Sequence, residues 1–92
     1  MIKTFYCKET EKIYYGEKSK KFPPNIQRTA LRKLTIIDNA QDLRDIKLLP
    51  GNHYEELEQF DGKSSIYIND QFRVCFYWKD KDAYDVEIID YH

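Results

Sequence analysis

Apolar and polar positions change period about halfway along the chain. From Asn25, "NIQRTALRKLTIIDNA" sets Ile26, Ala30, Leu34 and Ile37 on one face at helical spacing, with Arg28, Arg32 and Lys33 placed elsewhere on the helix surface. Before it, "MIKTFY" alternates as a short first strand, and "KETEKIYYGEK" reads as a charged helix. Gly16 and then Pro23-Pro24 break the chain between the two helices. "AQDLRDIKLLPGN" is a connector with at most a helical turn, closed by Pro50-Gly51. Beyond it the period is two. "NHYEELE", "SSIYI", "FRVCFYW" and "AYDVEIIDY" are joined by Asp61-Gly62, by Asn69-Asp70 and by the polar tip "KDKD". Short runs with such turns predict an antiparallel meander. Helices first and a meander after them predict an α+β fold, with the helices on one sheet face and residues 1–92 forming one domain.

Composition narrows the class. Of 92 residues, 41% are hydrophobic and 15% aromatic, enough for one small core. No apolar run approaches the roughly 20 residues that span a bilayer. "MIKTFYCKETEK" becomes charged at once and has no signal-peptide h-region, so the expected location is cytoplasmic. Cys7 and Cys75 sit among aromatics and read as buried, inert thiols. With two distant histidines and no CxxC, no metal site is expected, and no nucleotide-binding or serine-hydrolase motif is present. The net charge of −1 hides an asymmetry: residues 1–51 carry 11 Lys/Arg against 6 Asp/Glu, residues 52–92 carry 4 against 10. The basic part fits either a phosphate-binding face or the solvated side of two helices.

Candidate chemistry concentrates in the last two strands. Alternation places Arg73, Cys75 and Tyr77 on one face and Phe72, Val74, Phe76 and Trp78 on the other. An arginine facing away from the core needs a partner: a phosphate, which matches its planar fork, or a cross-strand carboxylate from Asp85 or Glu87. A tight hairpin at "KDKD" returns the chain so that Asp90, Tyr91 and His92 come near Arg73. Such a group suits phosphoryl transfer, with His moving a proton, Arg holding the non-bridging oxygens, and Tyr or Asp orienting them. RNA cleavage needs little more, because the substrate's 2′-OH is itself the nucleophile.

"GN…SIYINDQFRVCFYW" and the ending "DAYDVEIIDYH", with "MIKTF", "PP" and "LPGN" ahead of them, resemble the HigB-type toxins of the RelE/ParE superfamily across nearly the whole chain. The resemblance implies a RelE-like fold and an mRNA interferase, an endoribonuclease that cuts mRNA in the ribosomal A site and so inhibits translation and growth. It implies no cofactor and a metal-independent cleavage that leaves a 2′,3′-cyclic phosphate. The implied partner is a HigA-type antitoxin with a helix-turn-helix, through which alone the toxin reaches operator DNA. Carried over by residue, Arg73 matches the phosphate-contacting arginine, and Asp90, Tyr91 and His92 the catalytic tail. The sequence departs after Leu57, where many relatives have lysine and this chain has Glu58. Lys63 is the expected substitute cation, and His53 or Tyr54 stands near a position where some relatives have histidine. Glu55, Glu56 and Glu58 either face the helices' Lys and Arg rather than the site, or mark a weak or altered toxin. The competing reading is a non-catalytic or gyrase-directed toxin of the ParE type, or a degenerate toxin that serves mainly as a corepressor bound to antitoxin.

Overall fold

The computed structural model describes residues 1–57 and 62–91. Helix α1, Lys8–Tyr14, is seven residues long, buries Thr10 and Ile13, and stops before Gly16, whose φ of 83° glycine adopts without strain. Helix α2, Pro24–Asn39, begins with proline in its first turn, where the missing N–H would have no intrahelical partner anyway. Helix α3, Leu43–Lys47, is closed by a reciprocal capping box between Asp42 and Asp45, and a 3-10 turn follows at Pro50–Asn52. Strands β1, Glu55–Leu57, β2, Lys63–Tyr67, β3, Phe72–Lys79, and β4, Asp82–Asp90, then form an antiparallel sheet in the order β1-β2-β3-β4. The α+β architecture is the one the periodicity predicts. Asp80 and Lys81, both at positive φ, make the two-residue hairpin between β3 and β4.

One sheet face carries Ile66, Phe72, Val74, Phe76, Val86 and Ile88 against Ile13, Phe22, Ile26, Ala30, Leu34 and Ile37 of the helical half. Phe76 has no exposed surface, and truncating a buried Phe to Ala costs about 3–5 kcal/mol. The other face is polar yet dry at its centre, where Ser65 and Cys75 are fully buried and Arg73 is 6% exposed. Among the described residues, every buried side-chain nitrogen or oxygen has a hydrogen-bond partner.

Two expectations need correction. The opening residues do not form a strand; Ile2 and Phe5 make isolated parallel bridges to Ala83 and Val86 along the outer edge of β4. Lys33 is not on the surface of α2. It is 5% exposed on the core-facing side, seven residues after Ile26, and its charge is met inside the protein.

Candidate functional site

Arg73 lies in the second position of β3, between β2 and β4, so it reaches its partners across the sheet. Its Nε donates to the Ser65 hydroxyl at 2.9 Å. Nη2 donates to the backbone carbonyl of His53 and, at 3.4 Å, to that of Ser65. Nη1 lies 3.5 Å from a Glu55 carboxylate oxygen, and the Tyr91 ring centre is 5.8 Å from the guanidinium carbon. Two edges of the fork are thus held by fixed backbone and hydroxyl oxygens. The third meets a carboxylate whose side chain is 50% exposed. Asp85 and Glu87, the carboxylates expected across the strand, are elsewhere. The β3–β4 register shifts between Cys75 and Tyr77, Asp85 sits in that irregularity at φ 52°, and Glu87 pairs with Lys63 at 3.1 Å. Glu55 likewise does not face the helices, because its register partner Ser65 is on the Arg73 side.

The structure divides the expected tail. Tyr91 places its ring by Arg73, and its backbone N–H donates to the Gln71 carbonyl, which extends the pairing past the end of β4. Asp90 is opposite Phe72, so it belongs to the helix-facing side, where Gln71 donates to it at 3.1 Å. There it borders a groove of about 530 Å³ with Lys21, Phe22 and Phe72. The expected trio around Arg73 is therefore split by strand alternation. His92 and Glu58 lie outside the described residues.

His53 is exposed, meets the Tyr67 ring edge-on at 5.1 Å, and adopts a left-handed φ of 41°. Its carbonyl, rather than its imidazole, touches Arg73. Tyr54 points to the helix side: its hydroxyl is 2.7 Å from Ser64, whose strand partner is Phe76, and the Lys47 ammonium stands 5.1 Å over its ring. Lys63 shares the Arg73 face, bonded to Glu87 and 5.7 Å from the Tyr77 ring centre. Burial disfavours its charge, but the Glu87 bond together with the charge interactions of Glu87, Cys75 and Tyr77 outweighs this, and its pKa is raised. At the centre of this face, burial pushes the Cys75 thiol from 9.0 to about 11. Among the described residues, no group of three or more His, Cys, Asp or Glu could hold a metal ion. No helix among them is long and apolar enough to cross a membrane.

Sequence reasoning missed Glu55, Ser65 and the His53 carbonyl as the groups that hold Arg73. A peptide carbonyl leaves no mark in a sequence. Ser65 could have been found, since a serine on the neighbouring strand, diagonal to an arginine on the same face, is a natural acceptor.

The arrangement offers one anion-binding edge of a preorganised guanidinium, flanked by a phenol. Comparison with known proteins agrees with the sequence resemblance. The Toxin HigB-1 of Vibrio cholerae serotype O1 is 38% identical over 82 residues, which cover 87% of this chain and 86% of that protein. An uncharacterized protein of Haemophilus influenzae is 32% identical over 70 residues, 75% of this chain and 69% of its own length. The family model for the RelE-like toxin HigB of type II toxin-antitoxin systems matches residues 3–92, and the chain belongs to this HigB-like toxin family.

Proposed function

We propose that the protein is an endoribonuclease that cuts mRNA in the ribosomal A site, with Arg73 as its phosphate-holding group. The observation that carries this reading is the Arg73 fork, fixed along two edges and closed on the third by a half-exposed carboxylate. Glu55, whose side chain is half open to water, can swing away from Nη1 and leave that edge of the buried guanidinium to an RNA phosphate. In the reaction, the 2′-oxygen attacks the adjacent phosphorus, the 5′-oxygen leaves, and a 2′,3′-cyclic phosphate and a 5′-hydroxyl result. Arg73 stabilises the charge on the non-bridging oxygens. Tyr91, on the guanidinium, orients the phosphate. His92, the residue after Tyr91 in sequence, moves the proton, and imidazole does this near neutral pH. Asp90, on the other sheet face, supports the tail through Gln71. The toxin's partner is a helix-turn-helix antitoxin of the HigA type, through which the pair reaches operator DNA.

A second reading has its own observation. Both Arg73 and Lys63 are paired with carboxylates, Glu55 and Glu87, which suits a toxin that binds its antitoxin or gyrase without cutting RNA. Mapping 5′ ends on RNA from induced cells separates the two. The endonuclease produces new 5′-hydroxyl ends inside translated frames, and folded Arg73→Ala and His92→Gln variants do not. Growth arrest with no new ends would establish the second reading.

A further inference from the structure

Lys33 occupies a place in α2 that a lysine seldom takes. It is 5% exposed, among Ile26, Leu34 and Ile37, yet its ammonium makes no bond to the sheet. It donates to the Gly51 carbonyl at 2.9 Å and to the Asn52 side-chain oxygen at 2.8 Å. Asn52 is 1% exposed; its amide donates to the Ile46 carbonyl at 2.9 Å, and its own backbone N–H to Leu49 at 3.0 Å. Two buried polar side chains thus brace the connector from α3 to β1. For packing alone a buried charge is a poor choice, since well-packed apolar residues of similar volume usually serve stability as well or better.

What the brace fixes is the next residue. His53 leaves the 3-10 turn with φ 41° and ψ 56°, a left-handed conformation that a residue with a Cβ holds only when its surroundings enforce it. In that conformation its carbonyl receives Arg73 Nη2. We propose that Lys33 and Asn52 are positioning residues for Arg73. They lock the Asn52–His53 segment, and the His53 carbonyl aims the guanidinium. This rests on the reading of Arg73 as the phosphate-holding group.

The test uses the full chain in a purified translation reaction, with Lys33→Met, Asn52→Ala, Arg73→Ala and the Lys33→Met/Arg73→Ala double variant. Lys33→Met keeps the aliphatic stem and removes the ammonium. It is expected to lower kcat about 10- to 100-fold with KM nearly unchanged, as expected for a misplaced catalytic group. It should cause no further loss when Arg73 is already alanine, since two residues acting through one group are not additive. On the protein alone, the Arg73 Nε–H resonance should shift or broaden in Lys33→Met while those of Arg28 and Arg32 stay in place. A folded Lys33→Met with wild-type kcat and an unmoved Arg73 signal overturns the inference, and so does an equal loss in the Arg73→Ala background. If Lys33→Met does not fold, Asn52→Ala is judged by the same readings. If Arg73→Ala itself cleaves normally, the proposed use of Arg73 has failed, and the Arg73 resonance alone decides the positioning.

Discussion

The two thiols show how far neighbours set a side chain's behaviour. Cys75 is fully buried on the polar face, and burial lifts its pKa to about 11, against the opposing pull of the nearby Lys63 charge. Cys7 is half-buried at the start of α1. Burial raises its pKa too, but hydrogen bonds from Thr10 and Glu9 and the Lys21 charge outweigh it, and the thiol lies below its ordinary value. At pH 8, iodoacetamide should therefore modify Cys7 well before Cys75, as peptide mass spectrometry would show; faster loss of Cys75 would contradict its placement. Cys75 also links stability to pH. The unfolded chain releases this proton from about pH 9.0, while the folded chain keeps it up to about 11. Its contribution is fully present below the lower value and lost as pH rises through the higher. Denaturant titrations should show stability falling across that window, and Cys75→Ser should flatten the fall. Of the two thiols expected to be buried, Cys75 is, and Cys7 is only half-buried.

Strand β4 illustrates what patterning can and cannot reveal. Its alternation was legible, as were the tight hairpin before it and the facing of Arg73, Cys75 and Tyr77. The partners along its outer edge were not. Met1 and Thr4 carbonyls receive the Ala83 and Val86 amides, and Thr10 Oγ1 receives that of Ile88 at 2.9 Å, so an irregular segment and one hydroxyl do the work of a strand. Period-two reading sees alternation around Ile2 and infers a strand, because it cannot tell a ladder from two bridges. The irregularity at Asp85 escaped for a related reason: an extra residue in a strand shifts the register beyond Cys75 without changing composition. Lys33 escaped because its charge outweighed its spacing from Ile26. Thr10→Val removes the acceptor while keeping the shape. It should destabilise the fold by about 1–3 kcal/mol, the usual cost of a buried donor left unpaired. The matching sign is faster amide exchange at Ile88, and unchanged protection there would exclude the role.

Taken as one object, the molecule has an apolar sheet face that packs the core and a polar face centred on Arg73, and Arg73 serves the fold as well as the proposed chemistry. Its fork ties β3 to β2 at Ser65 and to the segment before β1 at His53. Arg73→Ala leaves a buried hydroxyl and a carbonyl without their donor, again about 1–3 kcal/mol. For a domain of this size each kcal/mol moves Tm by about 4–8 °C. The variant should melt well below the parent and still be folded at 25 °C, as calorimetry and circular dichroism would report. An unchanged Tm would show that the fork does not hold the sheet.

The Thr10–Ile88 bond and the Lys33–Asn52 brace have a consequence for genetics. A selection for cells that survive induction of this protein does not sample the surface around Arg73 alone. Survivors will also gather at Thr10, Lys33, Ser65 and Asn52, positions with 5% or less of their surface open to water. Soluble yield sorts such survivors. Changes that spare the fold and abolish arrest mark the chemistry, and those that deplete the protein mark its scaffold.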